Sequence, residues 1–111
     1  MYNQVYLVGR LAAKPIFMDK SADALIHIKI PRPFCENGNK RNYDLIPVVL
    51  WKGMAEMVDD TCHVGSFLSI KGRIMNRNEK RPMTDMEPIY VKGESVELLD
   101  HIFEQEYNHK N

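Results

Sequence analysis

The amino-acid sequence predicts an all-β fold, a small five-stranded barrel with one short helix between its third and fourth strands. Its 111 residues suffice for a single domain. Strand-like runs separated by turn signals follow one another without alternating helices, which excludes a doubly wound parallel sheet. With 44% hydrophobic and 27% charged residues, the composition is that of an ordinary folded domain and not of a disordered or collagen-like chain.

Two strand-like segments occupy the first third of the chain. Val5–Leu11 is rich in β-branched and aromatic residues and contains Gly9, which suits a strand that bends or that another backbone approaches closely. Ala24–Ile30 alternates with the period of two expected of a half-buried strand. Prolines then end this strand, and the polar stretch Phe34–Tyr43 predicts a long hairpin loop.

A third strand and the helix come next. The apolar run Leu45–Trp51 predicts a strand whose Pro47 lies at an edge, at a bulge or at a position that donates no ladder hydrogen bond. From Gly53 to Cys62, apolar residues recur at intervals of three and four, which predicts one short helix. Val64 and Gly65 end it.

The last two strands are Phe67–Met75 and Ile89–Leu99, joined by the charged loop Arg77–Pro88. This order of elements is typical of the OB-fold, a five-stranded, partly open Greek-key barrel, although an SH3-like barrel or a small sandwich agrees with the same strand count. We expect one domain over residues 1–99 and a short acidic C-terminal extension over residues 100–111.

The formal net charge of zero conceals an uneven distribution. Residues 1–93 contain 14 Lys and Arg against 10 Asp and Glu, whereas residues 94–111 contain one Lys against five acidic residues. Because a ligand experiences the field of the surface it approaches, a neutral total does not exclude a polyanionic partner.

The sequence is typical of a cytoplasmic protein with reduced thiols. Cys35 and Cys62 lie far apart without the spacing of a zinc knuckle or a redox pair, although they leave room for a single disulfide. The N-terminus lacks the basic start and apolar run of a signal peptide, and no apolar stretch approaches the ~20 residues that cross a bilayer. We therefore expect cytoplasmic localisation and no membrane partner.

No arrangement typical of an enzyme is visible. Asp59 and Asp60 are neighbours on the predicted helix, so their side chains diverge by about 100°. Cys62 and His63 do not face one another either. The histidines lack metal-ligand spacing and the glycines form no phosphate-binding loop. We expect no catalytic residues, no metal site and no cofactor.

Basic and aromatic residues interleave between Lys29 and Lys52, where only Glu36 and Asp44 oppose them. Single-stranded nucleic acid needs both residue types, because cations neutralise its phosphates and flat rings stack on its bases. The predicted nucleic-acid-binding residues are Arg32, Phe34, Lys40, Arg41, Tyr43, Trp51, Lys52, Arg73, Arg77, Lys80 and Arg81.

Each of these residues also has a purely structural interpretation. Trp51 ends an apolar strand and fits a core position equally well. Phe34 could pack beneath its own hairpin, and the role of Tyr43 stays open. Isolated basic residues are usually solvated surface, and only their clustering on two loops favours binding.

Five motifs in register over residues 1–99 resemble the bacterial single-stranded DNA-binding protein family, SSB. They are Asn3–Leu11, Pro31-Arg-Pro-Phe34, Val48–Trp51 with the Met54-Ala-Glu-Met helix, Val64-Gly-Ser66, and Lys71-Gly-Arg73 through Asn78.

The resemblance implies an OB-fold protomer that assembles as a homo-oligomer, usually a tetramer with a dimer as the alternative. Such a protein coats single-stranded DNA with little sequence preference in replication, recombination and repair. Phe34 and Trp51 match stacking aromatics of the family, while Arg77 and the basic loop residues match its phosphate contacts. Asn3–Leu11 matches the strand that pairs protomers.

The chain departs from the family pattern at two stacking positions and one basic pair. Leu45 and Glu79 stand where the family usually has aromatic residues, and His63-Val64 replaces the basic pair. At ~1–3 kcal/mol per stacked base, these departures imply weaker binding than is usual in the family.

The family continues through a long flexible linker to an acidic tip that recruits replication and repair proteins, whereas this sequence stops at Asn111. That recruitment is therefore not expected of the residues present. Two other functions stay open from the sequence. One is an OB-fold adaptor that bridges proteins of a replication complex and binds DNA weakly, and the other is a small metal-dependent hydrolase.

Overall fold

Six strands and one helix form the part of the chain that the structure, a computed structural model, describes: residues 1–18, 22–33, 42–76 and 89–102. In chain order they are β1 (Val5–Leu11), β2 (Ile16–Phe17), β3 (Asp23–Pro31), β4 (Tyr43–Trp51), α1 (Lys52–Thr61), β5 (Phe67–Asn76) and β6 (Ile89–Leu98). The five predicted strands and the helix are confirmed. The short strand β2 is not predicted, because two residues carry no recognisable periodicity.

Five of the strands form a closed ring in the order β1, β5, β6, β4 and β3, and pairing between β3 and β1 completes it. This is the predicted OB-fold barrel. Neighbouring strands are antiparallel except β4 and β6, which pair in parallel through Val48–Val91 and Val49–Lys92. The parallel pairing arises because α1 and β5 form a crossover that returns the chain in the same direction.

The barrel interior is filled by aliphatic side chains from every second residue of the strands. The predicted alternation of β3 is confirmed, since Ala24, Ile26 and Ile28 are all buried. From α1, Ala55 and Val58 complete the core against β3 and β4. The other buried apolar residues are Leu11, Val48, Leu50, Leu68, Ile70 and Val91.

One edge of β3 is shared by two strands. Its first half pairs with β2 through Ala24 and Leu25, and its second half pairs with β1 through Ile28–Leu11 and Lys29–Arg10. We call the second contact the β1–β3 seam. A Cβ on Gly9 would lie 2.6 Å from the Lys29 carbonyl oxygen and 2.7 Å from Cγ2 of Ile28. The predicted close approach to Gly9 is therefore the contact that closes the barrel.

Pro47 occupies a position at which β3 needs no donor. It lies opposite His27, whose carbonyl oxygen accepts a hydrogen bond from the Ala12 N–H at 2.9 Å, on the side away from β4. The Pro47–His27 pair is thus one of the non-hydrogen-bonded pairs of an antiparallel ladder. The absence of an N–H on Pro47 therefore removes no hydrogen bond between β4 and β3.

A tight turn connects α1 to β5. The helix ends with the Cys62 N–H donating to the Val58 carbonyl, and Gly65 then adopts φ of 98°, in the left-handed region that favours glycine. The Gly65 N–H donates to the Leu11 carbonyl at 2.8 Å. This bond holds the turn against the end of β1.

Adding a methyl group at Gly9 should destabilise the barrel. Gly9→Ala places a Cβ against the backbone of β3, and such overpacking costs about 1–3 kcal/mol of the free energy of unfolding. Urea denaturation followed by circular dichroism measures it. Ser69→Thr, which adds a methyl on the solvent side of β5, is the matched control and should change stability by less than about 0.5 kcal/mol. Equal stability of Gly9→Ala and the unmodified chain would show that the seam is looser than described.

Candidate nucleic-acid interface

The solvent-facing side of β3 and β4 forms one continuous surface, which we call the outer face. Because successive strand residues alternate between the two sides, the residues between the buried ones point away from the core. Directly opposed residues extend the surface onto β6 and β5 through the row Leu25, Val49, Lys92 and Arg73. The outer face comprises Leu25, His27, Lys29, Tyr43, Leu45, Pro47, Val49, Trp51, Lys92 and Arg73.

Trp51 places its ring at one end of the outer face. It is the last residue of β4, with extended backbone angles, and α1 begins at the next residue. Its side chain is 56% exposed, so the core interpretation of this residue is wrong. The six-membered ring lies beside Gly53, where a Cβ would overlap it. The sequence Trp-Lys-Gly thus supports the ring on one side and leaves an exposed part of the residue open to a ligand.

At the other end of the outer face, Tyr43 is half-buried beneath a cation. The Lys29 ammonium lies 4.3 Å from the centroid of the Tyr43 ring, a distance at which the ring quadrupole attracts the charge. Leu45, the next outward residue of β4 after Tyr43, is 46% exposed. This end therefore offers a charge and an aliphatic surface to a ligand.

Arg32 is held by a carboxylate. Its Nε and Nη2 both donate to Oδ1 of Asp44, at 3.0 and 2.7 Å. This hydrogen bond holds the pKa of Asp44 below its usual range, so the pair stays ionised at neutral pH. Arg32 lies among the predicted phosphate contacts, and here part of its charge is already compensated.

Lys92 and Arg73 bring positive charge to the middle of the outer face. They lie directly opposite one another on β6 and β5, and Lys92 reaches over β4 to donate to Oδ1 of Asp23 at 3.2 Å. Asp23 is itself opposite Trp51. Lys52, the first residue of α1, is exposed next to the tryptophan.

The structure places four of the predicted binding residues on or beside the outer face: Tyr43, Trp51, Lys52 and Arg73. Arg32 pairs with Asp44, which alternates with the outward Tyr43 and Leu45 along β4 and so lies on the other side of the sheet. The other six fall outside the described residues, and their roles stay predictions. They are Phe34, Lys40, Arg41, Arg77, Lys80 and Arg81.

Three residues of the outer face with polar or charged side chains, His27, Lys29 and Lys92, are missing from the sequence-based set. His27 and Lys29 could have been found from the alternation of β3, because they fall on the side opposite its buried isoleucines. Lys92 could not, since it joins the surface only through the parallel pairing of β4 and β6.

Cys62 and Ser66, two side chains that could serve as nucleophiles, have surroundings typical of structural residues. Burial raises the pKa of the Cys62 thiol above its ordinary range, which disfavours the nucleophilic thiolate. Ser66 is buried, and its hydroxyl accepts a hydrogen bond from the His63 backbone N–H at 2.9 Å, as a turn-stabilising group does. Within the described ranges no three His, Cys, Asp or Glu side chains converge as a metal site requires. None of the helices described there is long and apolar enough to span a bilayer.

Comparison with known proteins gives one consistent family. A family model described as the single-strand binding protein family matches residues 2–98. Single-stranded DNA-binding protein 1 of Streptococcus pyogenes is 35% identical over 103 residues, which make up 90% of this chain and 79% of that protein.

Solved structures agree on the fold. The crystal structure of the single-stranded DNA-binding protein from Thermus aquaticus superimposes with a TM-score of 0.65 at 22% identity, covering 88% of this chain and 50% of that one. The dimeric N-terminal domain of the PriB protein from Thermoanaerobacter tencongensis superimposes with a TM-score of 0.63 at 18% identity, covering 86% and 94%. At such identities the likeness concerns the architecture.

The exposure of Trp51 can be tested without any ligand. It is the only tryptophan of the chain, so we expect emission typical of a solvated indole, strong quenching by iodide and little red shift on unfolding. The urea-unfolded chain is the fully exposed reference, and Trp51→Phe gives the background from tyrosine. Blue-shifted emission that iodide cannot reach would place the ring in the core.

Proposed function

Since its residues 2–98 match the family model, the chain belongs to the single-strand binding protein family, and we propose that it coats single-stranded DNA through the outer face of its barrel. Protection of single strands during replication, recombination and repair is the general role of such proteins. Binding needs no bond making or breaking, so we propose no catalytic step.

The observation that carries the assignment of the site is the exposed Trp51 ring beside a row of cations. A base can stack on the open part of the ring, and a stacked base contributes ~1–3 kcal/mol without regard to its identity. Lys92 and Arg73 on the same surface, and Lys52 next to the ring in the sequence, are the cations we propose to neutralise the phosphates that flank such a base. Stacking and phosphate neutralisation together give binding without sequence preference.

The proposed affinity is modest for the family. Leu45 offers an exposed aliphatic surface where the family pattern has a stacking ring. Lys92 on the outer face and the predicted contact Arg32 each share their charge with a carboxylate. A phosphate must displace Asp44 or Asp23 to gain the full charge of either partner. We therefore propose that the protein makes fewer phosphate and stacking contacts with DNA than the binding residues predicted from the sequence would suggest.

Membership of the family implies assembly with further copies of the chain, and we propose that β1 mediates it. Within the described residues the edge of β1 from Val5 to Gly9 pairs with no strand on the side opposite β5. Tyr6 and Val8 on this strand are 68% and 53% exposed. An open edge with apolar side chains supports antiparallel pairing with β1 of a second copy. A tetramer of two such dimers, located in the cytoplasm, is the assembly we propose.

We also propose that the DNA-binding domain ends near residue 99. β6 ends at Leu98, and Asp100 still contacts the barrel, because its Oδ1 accepts a hydrogen bond from the Phe67 backbone N–H at 2.8 Å. Residues 100–111 then form an acidic extension.

Removing the Trp51 ring should weaken DNA binding. We expect Trp51→Ala to bind oligo-dT roughly five- to 150-fold more weakly, because one stacked base is lost, while Trp51→Phe keeps most of the affinity. Anisotropy of fluorescein-labelled oligo-dT measures binding without the tryptophan. Met57→Ala, which truncates an exposed side chain of α1, is the control. Unchanged affinity of Trp51→Ala would place the DNA on another surface.

Releasing Lys92 from its carboxylate should strengthen binding. We expect Asp23→Asn to bind more tightly and to steepen the dependence of log affinity on log salt by about 0.7, the value for one further phosphate on a single strand. Glu97→Gln removes the same charge from β6, away from Lys92, and is the matched control. If Lys92 is the cation released, adding Lys92→Gln abolishes the gain. Identical behaviour of Asp23→Asn and Glu97→Gln would show that only the overall charge matters.

A further inference from the structure

A second row of opposed residues crosses the barrel at the β1–β3 seam. Leu45 of β4 faces Lys29 of β3, Lys29 faces Arg10 of β1, and Arg10 faces Phe67 of β5. All four point outward. The seam consists of two residue pairs, and one of them sets two cations side by side.

Like charges directly opposite one another destabilise a ladder. Within the described ranges neither Arg10 nor Lys29 has a carboxylate at ion-pair distance. This differs from Arg32 and Lys92, each of which shares its charge with an aspartate. A local arrangement that opposes stability without a compensating ion pair is a signature of a functional surface.

Aromatic rings hold both cations in place without cancelling their charge. The Arg10 guanidinium lies 4.1 Å from the centroid of the Phe67 ring, and the Lys29 ammonium lies 4.3 Å from that of Tyr43. Arg10 Nη1 also donates to the Gly65 carbonyl at 3.3 Å, which leaves its other N–H donors for a ligand. The two charges are therefore fixed in position before anything binds.

Between these side chains lies a cleft of about 320 Å³, which we call the Arg10–Lys29 cleft. Leu45 and Val64, both exposed on its walls, give it an apolar surface. Its size is at the lower end of that of small-ligand pockets, ~300–1,000 Å³. Two cations beside an apolar cleft suit a ligand in which an anionic group is attached to a flat apolar group.

We propose that the Arg10–Lys29 cleft binds one nucleotide unit of the single strand, with the phosphate between Arg10 and Lys29 and the base against Leu45 and Val64. This inference rests on the proposed function and extends its site. Leu45 and Trp51 lie on the same strand and face, about 20 Å apart at the rise of an extended chain. A strand that stacks on Trp51 can thus follow β4 to Leu45 and turn over the seam into the cleft.

The test compares labelled oligo-dT of two lengths, about 8 and about 24 nucleotides, which bracket the ~4–16 nucleotides that an OB-fold occupies. We expect Arg10→Gln and Lys29→Gln each to weaken binding of the longer strand roughly tenfold and to lower the salt slope by about 0.7. The shorter strand, which can bind at the Trp51 end of the outer face alone, should lose less. Quenching of Trp51 at saturation should persist in both variants.

Two further variants keep the test decisive. Lys71→Gln removes one exposed charge from β5 away from the cleft and should leave the salt slope nearly unchanged. Arg10→Lys keeps the charge and should retain the slope even if Arg10→Gln is unstable in circular dichroism melts. If the double variant Arg10→Gln/Lys29→Gln binds the longer strand as the unmodified chain does, with Trp51 still quenched, the cleft proposal is overturned and the proposed function stands. If the unmodified chain neither binds nor shows quenching, both fail.

Discussion

The β1–β3 seam is the contact on which both the barrel and its proposed binding surfaces depend. Ile28–Leu11 and Lys29–Arg10 are its only residue pairs among the described residues. The first pair buries two aliphatic side chains in the core, and the second directs two cations outward. Gly9 lets the backbones approach closely enough for both. The charge arrangement of the cleft is therefore a direct consequence of barrel closure, because period-two alternation assigns adjacent pairs to opposite sides of the wall.

Much of the fold follows from local patterns in the sequence. The alternation in β3 identifies its buried side without reference to any other strand, and the three-and-four spacing in α1 identifies Ala55 and Val58 as its inward residues. What cannot be predicted is pairing between distant segments. Two such pairings are the parallel contact of β4 with β6 and the two-residue seam. Both depend on how the sheet curves, which cannot be predicted from any short segment of the sequence.

Trp51 illustrates the difference between local and non-local information. β4 is apolar on both sides, so its own sequence does not tell which residues face inward. The register with β3 decides it. Asp23 precedes the buried Ala24 and must point outward, and Trp51 is the partner of Asp23. Once the register is known, the exposure of the ring follows. Lys92 enters the outer face in the same way, through its pairing with Val49.

The neutral net charge conceals two kinds of cation. Arg32 and Lys92 are matched by carboxylates, so a phosphate that binds them replaces one anion by another and gains little. Arg10 and Lys29 rest on aromatic rings, which attract a cation but carry no net charge. A phosphate at these residues meets charge that no protein group neutralises within the described residues. Counting lysines and arginines therefore gives Arg32 and Lys92 too much weight in the proposed binding surface, and Arg10 and Lys29 too little. The distribution of partners, and not the number of cations, decides where a polyanion is held most firmly.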